Sequence, residues 1–169
     1  VKGVYNGSMI VILGGMMAID MGGPFNKAAY AFSIGIFTDT GDGSLMAAVM
    51  AGGMVPPLAI AVATTMFKHK FTEGERKSGL TNYVMGISFI TEGAIPFAAA
   101  DPIRVIASSI IGAATAGGLT QLWNTAIPAP HGGLFVIPLA ENALLFLLAL
   151  AIGTMVAAVV LGLWKKTVR

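Results

Sequence analysis

The sequence predicts an all-α integral membrane protein with about four spanning helices, interrupted by re-entrant hairpins or discontinuous helices. Hydrophobic residues make up 56% of the 169 residues and charged residues only 11%, whereas about one quarter of a soluble domain is charged. The chain also contains uncharged runs near the length of about 20 residues that a helix needs to cross a bilayer. Between these runs lie apolar stretches broken by glycine and proline.

Four uncharged runs are the predicted spans. The first is slightly short for a bilayer and ends at Asp20. The second contains Pro56 and Pro57 near its middle, which predicts a kink. The runs cover residues 3–19, 45–67, 105–123 and 143–164.

Three stretches between the spans are too broken for a continuous helix and too apolar for an aqueous loop. They cover residues 19–32, 86–102 and 124–142, and each contains both glycine and proline. Irregular backbone survives in hydrocarbon only where protein or a water-filled cavity satisfies its polar groups. Such breaks are typical of transporters, whose binding sites lie at discontinuous helices near the membrane midplane.

Basic residues predict the orientation of the chain. The segment 67–79, predicted as the longest polar loop, and the tail after residue 164 are both rich in lysine and arginine. Both are expected to be cytoplasmic, with the last two spans crossing out and back between them. The start has no initiator Met or signal-peptide pattern and is expected to lie inside a longer chain, whereas the basic tail is expected to be a C-terminus.

Composition excludes several classes of function. The absence of cysteine excludes disulfides, thiolate metal sites and a cysteine nucleophile. The two histidines, His69 and His131, are far apart in sequence, so neither a metal site nor another cofactor is expected. No GxxxxGK[ST] phosphate loop occurs, so direct use of ATP is not indicated. A net charge of +2 is too small to suggest a nucleic-acid partner.

Glu92 is the first candidate binding residue. A charge at membrane depth costs about 2.5 kcal/mol or more, so such a residue normally faces a cavity or a partner. One interpretation is an internal ion pair with Arg104. The other is a ligand for a solute rich in hydroxyl groups, because a carboxylate accepts several hydrogen bonds. The surrounding glycine and prolines favour the second, and Gly93 lets backbone approach a ligand.

Asp20, Asn26 and Lys27 form a second candidate group. Lys27 is positioned in sequence to neutralise Asp20 or a phosphate-bearing partner, and the Asn26 amide suits a sugar hydroxyl. Helix capping is the competing explanation. The imidazole of His131 also donates and accepts, so it fits either a hydroxyl ligand or nearby backbone carbonyls at a hairpin tip.

Structural roles are predicted for the remaining polar residues of the broken stretches. Asp101 precedes Pro102 and is expected to cap the helix that follows. Arg104 lies three residues further on, where it would neighbour Asp101 on the helix surface. Glu141 and Asn142 are expected to cap the last span.

Three segments together resemble the membrane-embedded IIC component of the fructose-specific phosphotransferase system. They are "DMGGPFNKAAYAF" at 20–32, "GISFITEGAIPFAAADP" at 86–102 and "PAPHGG" at 128–133. The stretch "GISFITEGAIPF" is also similar to the Gly-Ile-Thr-Glu signature of the wider glucose-type IIC superfamily. The resemblance covers the whole chain, residues 1–169, and only the C-terminal half of such a component.

This resemblance implies a permease that imports fructose or a fructose-like hexose, driven by phosphoenolpyruvate. The phosphate comes in that family from a phosphocysteine on a partner IIB domain, so no catalytic residue is expected here. The setting is the bacterial inner membrane, where the transport domain moves like an elevator and the other half of the component forms a homodimer. The sugar site that these expectations define comprises Glu92, Asn26, His131, Gly93, Asp20 and Thr91.

Two other functions are compatible with the residues alone. An ion- or proton-coupled secondary transporter of a polar solute also contains broken helices and membrane-embedded acids. A non-transporting membrane subunit that only assembles with partners is the second. Residue chemistry predicts no more than a transporter of polar solutes, and the phosphotransferase assignment depends on the resemblance.

Overall fold

The computed structural model describes residues 7–41, 43–123, 125–127, 135–136, 138 and 142–164. The described residues form α-helices and short 3-10 helices, and they contain no β-strand. Lys68–Lys70 and Thr91–Ala94 are 3-10 helices, and residues 135, 136 and 138 have the same geometry. The α-helices are α1 (Gly7–Ile19), α2 (Pro24–Thr40), α3 (Ser44–Met66), α4 (Glu73–Ile87), α5 (Ile95–Ala100), α6 (Pro102–Leu122) and α7 (Ala143–Trp164).

Helix α3 is the centre of the bundle. Nearly all of its residues are buried, whereas fewer than half are buried in the apolar parts of α6 and α7. Helices α1, α2, α4, α6 and α7 all pack against it. Small residues and methionines dominate its sequence "SLMAAVMAGGMVPPLAIAVATTM", and small residues let neighbouring helix backbones approach closely in membrane proteins.

Glycines mark the points where helices touch backbone to backbone. A Cβ added at Gly52 of α3 would lie 2.5 Å from the carbonyl oxygen of Gly14 in α1. Helices α6 and α7 meet reciprocally, because a Cβ at Gly112 would lie 2.5 Å from the Gly153 oxygen and one at Gly153 would lie 2.6 Å from the Gly112 oxygen. Close approach at these pairs leaves no room for any larger residue.

Three of the predicted spans are confirmed as helices long and apolar enough to cross a membrane. They are Leu45–Met66, Pro102–Leu122 and Ala143–Trp164. Helix α3 continues through Pro56 and Pro57 without ending there. The described part of α1 has 13 residues, which is about 20 Å at 1.5 Å per residue. A fourth span at 3–19 therefore stays a prediction.

Helix breaks occur in the first two of the three predicted broken stretches. The chain leaves helical geometry at 20–23, and after α4 it forms the 3-10 helix Thr91–Ala94 and the short α5 before α6 begins. The third stretch, 124–142, lies largely outside the described residues. A re-entrant course through the membrane stays a prediction for all three.

The predicted polar loop at 67–79 is wrong in its second half, where the chain is helical. Helix α4 begins at Glu73 because Thr72 and Glu75 form a capping box: the Thr72 hydroxyl accepts from the Glu75 amide at 3.2 Å, and Glu75 accepts from the Thr72 amide at 3.1 Å. Two of the amides that a helix start leaves unpaired are satisfied in this way.

The predicted capping role of Asp101 is also wrong, although the residue does precede α6. Its side chain makes no capping hydrogen bond. The Asp101 carboxylate instead accepts from Nη1 of Arg104 at 3.1 Å. This confirms the expected contact between these two residues on the helix surface. Arg104 is thus engaged with Asp101, and no ion pair joins it to Glu92 in the described part of the chain.

The α6–α7 contact gives a first prediction. Gly153→Ala in the full-length component should lower its stability by about 1–3 kcal/mol, because the new methyl overlaps both the Gly112 oxygen and the Ala116 side chain. The matched control is Gly35→Ala, since nothing lies within 4 Å of a Cβ at Gly35. Thermal unfolding of the detergent-solubilised protein measures both changes, and equal unfolding midpoints for the two variants would contradict the observed packing.

Candidate functional site

The first helix break joins α1 to α2 through residues 20–23. Its backbone is left-handed at Met21 and Gly22, with φ of 47° and 105°. A positive φ is uncommon for a residue that carries a side chain, and it persists only where the surrounding structure enforces it. Met21 is buried in the same apolar cluster as Ala94 and Phe97, so packing holds this turn.

Asp20 stabilises the start of α2. Its Oδ2 accepts a hydrogen bond from the backbone amide of Phe25 at 2.7 Å, and its Oδ1 accepts from that of Asn26 at 3.0 Å. Amides in the first turn of a helix have no partner within the helix. Capping, one of the two explanations that the sequence left open, therefore describes what this carboxylate does.

The side chain of Asn26 connects α2 back to α1. It is buried, and its Nδ2 donates to the carbonyl of Met17 at 2.9 Å. That carbonyl lies in the last turn of α1, where carbonyl groups lack a helical donor. Lys27 is exposed, and among the described residues no ion pair joins it to Asp20.

The second helix break follows α4. Phe89 has a φ of 62° and a side chain that is 5% exposed. Its ring packs against that of Tyr30 in α2, with centroids 6.3 Å apart. It also lies against α3, since a Cβ at Gly53 would meet both the Phe89 ring and the Met17 side chain. The second break thus packs against the same part of α3 as the end of α1.

Thr91 anchors the second break to α3. Pro57 has no backbone N–H, so the Gly53 carbonyl four residues earlier lacks its usual helical donor. The Thr91 hydroxyl donates to that carbonyl at 2.8 Å, and Thr91 is 3% exposed. Threonine hydroxyls satisfy carbonyls freed by proline in membrane helices in this manner. The hydrogen bond therefore positions Glu92, the next residue in sequence, beside the middle of α3.

The two breaks meet at Gly22 and Glu92. A Cβ on Gly22 would lie 2.5 Å from Oε1 of Glu92 and 3.0 Å from its Cδ. A Cβ on the next residue, Gly23, would lie 2.7 Å from Oδ2 of Asp20. The paired glycines therefore let the carboxylate of the second break approach the backbone of the first, although the two are about 70 residues apart in sequence.

Glu92 presents an accessible carboxylate at this junction. Its side chain is exposed, and within the described part of the chain it makes no hydrogen bond or ion pair. Carboxylate oxygens accept hydrogen bonds from hydroxyl groups, and two oxygens can accept from neighbouring hydroxyls of one ligand. The carboxylate can therefore accept hydrogen bonds from a polyhydroxylated solute at this junction.

Gly93 has a different environment from the one predicted for it. A Cβ there would meet Oδ1 of Asn82 in α4 and the sulfur of Met85. Because Gly93 has no side chain, α4 can pack against it in this structure. Close approach of a ligand to Gly93 stays a prediction.

Asn82 is a residue that the sequence reasoning missed. It is 2% exposed, and its Nδ2 has no hydrogen-bond partner among the described residues. A buried, unpaired amide donor is costly, and this one packs against the turn that carries Glu92. The available signal was one amide in the apolar second half of α4, "LTNYVMGI".

Two predicted residues of the third broken stretch, His131 and Glu141, lie outside the described residues. Asn142 is described and has a φ of 55°. Its Nδ2 donates to the Trp123 carbonyl at 3.3 Å, so it connects the end of α6 to the start of α7. Among the described residues no group of three histidine, aspartate or glutamate side chains is placed to hold a metal ion.

Comparison with known proteins identifies relatives along nearly the whole chain. Over 95% of the chain, 58% of residues are identical to the PTS system fructose-specific EIIABC component of Bacillus subtilis, where the match covers 25% of that protein. The Fructose permease IIC component of Bacillus amyloliquefaciens is also 58% identical over 95% of the chain, which covers 52% of it. The PTS system fructose-specific EIIC component of Haloferax volcanii is 46% identical over 88% of the chain, and the match covers 40% of that protein.

Over 88–95% of its length the chain is similar to the IIC region of fructose-specific phosphotransferase components. It spans about half the length of the separate IIC permease and about a quarter of the fused protein. No protein-family model and no solved structure matches the chain. These matches confirm the resemblance found in the sequence.

The anchor between Thr91 and α3 gives a second prediction. Thr91→Val in the full-length IIC component should lower stability by about 1–3 kcal/mol, because the Gly53 carbonyl loses the hydroxyl that donates to it. Thr115→Val is the matched control: its hydroxyl bonds to the Ile111 carbonyl within α6, so its loss should stay within about 0.5 kcal/mol. Thermal unfolding compares the two, and a control that is destabilised as strongly as Thr91→Val contradicts the anchoring role.

Proposed function

We propose that this chain forms the sugar-translocating part of a fructose-type IIC component, which imports fructose or a fructose-like hexose for phosphorylation by a partner IIB domain. The single observation that carries this proposal is the exposed carboxylate of Glu92, held where two helix breaks meet. The relatives named as fructose-specific supply the sugar class.

The depth of the junction supports a transport site. Gly53, which receives the Thr91 hydroxyl, lies nine residues after the start of α3 and thirteen before its end. These separations correspond to about 14 Å and about 20 Å along the helix. Substrate sites of membrane transporters lie near the bilayer midplane at breaks in helices, and Glu92 occupies such a position if α3 spans the membrane.

Within this site, four of the six predicted residues take roles that fit their contacts. Glu92 accepts hydrogen bonds from sugar hydroxyls, and Thr91 fixes its position through α3. Asp20 and Asn26 hold the opposite wall of the site by capping α2 and joining it to α1. Their role is therefore to shape the site, and direct contact with the sugar falls mainly to Glu92.

Phosphoryl transfer requires a group that this chain lacks. The chain has no cysteine, so a phosphocysteine donor has to come from the IIB partner. Relatives from Bacillus subtilis and Haemophilus influenzae are named as EIIABC and EIIB'BC components, and their names join IIB to IIC in one protein. We place the reaction at the cytoplasmic opening of the site, after the sugar has crossed.

The bundle geometry agrees with the proposed orientation. A Cβ on Gly162, near the end of α7, would meet the ring of Phe67, which follows the end of α3. The basic segment after α3 and the C-terminal end of α7 therefore lie at the same end of the bundle, as two crossings between them require. In this proposal that end faces the cytoplasm of a bacterium, and the homodimer forms through the half of the component outside this chain.

A third prediction tests the role of Glu92. In membrane vesicles holding the full component, Glu92→Gln should reduce kcat/KM for phosphoenolpyruvate-dependent fructose phosphorylation by about 10- to 100-fold, because hydrogen bonds to a charged acceptor contribute about 1.5–3 kcal/mol. Asp39→Asn is the control, since this exposed acid at the end of α2 lies outside the site. A panel of hexoses in the same assay identifies the substrate.

Two outcomes contradict the proposal. Uptake driven by a proton or sodium gradient without phosphoenolpyruvate would assign the chain to a secondary transporter. Full activity of Glu92→Gln, with loss only of assembly into the membrane complex, would assign it to a structural subunit.

A further inference from the structure

A cavity lies between the end of α3 and the first half of α4, away from Glu92. Its volume is about 330 Å³, and its lining includes Thr64, Thr65, Lys68, Arg76, Lys77 and Leu80. Glu73 also lines it and pairs with Lys77 at 3.6 Å. Three basic side chains against one acid leave the cavity with a net positive charge.

Arg76 is held over this cavity by the turn that follows α3. Its Nη1 donates to the carbonyl of Lys68 at 3.4 Å, which leaves the other guanidinium donors available. The Lys68 side chain is exposed beside it. An arginine fork next to a lysine is suited to the oxygens of a phosphate group.

Exposed apolar residues of α4 continue from Leu80, which lines the cavity. Leu80 and Val84 are 62% and 68% exposed, and they follow Lys77 on the same face of α4 at helical spacing. Met66, the last residue of α3, is also 52% exposed. The charged lining residues thus lie in the segment after α3 and the first turns of α4, and apolar residues follow further along α4.

This polarity matches the boundary between lipid headgroups and hydrocarbon. Helix α3 is long and apolar enough to cross a membrane and ends at Met66, so the residues just beyond it lie at headgroup depth. Tyr83, whose hydroxyl lies 2.9 Å from that of Thr65, is of the residue type enriched at this level. Basic side chains at the membrane surface attract anionic lipids.

We infer that this cavity binds the phosphate of an anionic phospholipid, with Lys68 and Arg76 on the phosphate and the acyl chain along Leu80 and Val84. A phosphorylated protein partner or a free phosphate would use the basic end but has no use for the exposed apolar face. The inference concerns a site separate from Glu92 and does not depend on the identity of the transported sugar.

Native mass spectrometry of the full-length IIC component tests the inference with phosphatidylglycerol and phosphatidylcholine as probes. The unmodified protein should retain phosphatidylglycerol in preference to phosphatidylcholine, and Lys68→Gln and Arg76→Gln should each weaken that binding about fivefold, the effect of one basic charge near an anionic surface. Lys70→Gln is the matched control, because this neighbouring lysine does not line the cavity. Arg76→Lys keeps the charge and should retain part of the affinity for phosphatidylglycerol. This variant distinguishes loss of the charge from a folding defect.

Substitution of an apolar residue beside the cavity distinguishes a lipid from other phosphate ligands. Leu80→Ser should weaken phosphatidylglycerol binding while leaving inorganic phosphate unaffected, and Leu144→Ser, at an exposed leucine of α7, should change neither. Equal retention of both lipids, or unchanged phosphatidylglycerol binding in Lys68→Gln and Arg76→Gln, overturns the inference. So does inorganic phosphate competing as well as the lipid, or loss of IIB binding in these variants with lipid binding intact.

Discussion

The architecture depends on one backbone carbonyl in the middle of α3. Pro57 removes the amide that would normally bond to the Gly53 carbonyl, and a carbonyl without a donor is costly inside a membrane bundle. Thr91 supplies the donor from a segment 38 residues away. The proline therefore creates a binding point on α3 for the helix break that carries Glu92, and the missing side chain of Gly53 makes room for Phe89 and Met17 beside it.

Once the second break is fixed at this point, the first break is placed by packing. Met17 ends up against Gly53, and Asn26 bonds to the Met17 carbonyl. Helix α1 approaches α3 where Gly14 meets Gly52. The positive φ angles of Met21 and Phe89 are the conformational strain that this arrangement holds, and such strain concentrates at functional positions. The result is an exposed carboxylate in contact with two irregular backbone segments.

The sequence predicted the helices of this fold better than the contacts between them. Three spans followed from uncharged length alone, and the acid, glycines and prolines of residues 86–102 correctly indicated a break around Glu92. Composition could not indicate that Gly22 faces Glu92, because contacts across about 70 residues depend on how the helices pack. The signature predicts Thr91 as a site residue because Thr91 is next to Glu92 in it. The hydrogen bond from Thr91 to Gly53 is seen only in the structure.

Errors in the sequence interpretation arose where a polar side chain had two possible partners. The sequence predicts that Asp101 caps α6, but the guanidinium of Arg104 is the stronger partner for its carboxylate and lies within reach. The charges of residues 73–79 predict a loop, whereas Thr72 and Glu75 form a capping box that starts a helix. Asn82 was overlooked because its burial depends on the contact between Gly93 and α4.

A double-mutant cycle between Gly22 and Glu92 tests most directly whether the two breaks form one site. Gly22→Ala, Glu92→Ala and the double variant are compared in the full-length component by their free energies of unfolding. The contact predicts that Gly22→Ala destabilises less when the Glu92 side chain is absent, with a coupling of about 0.5–3 kcal/mol. The same destabilisation by Gly22→Ala in both backgrounds would contradict the account, because the two breaks would then not be in contact.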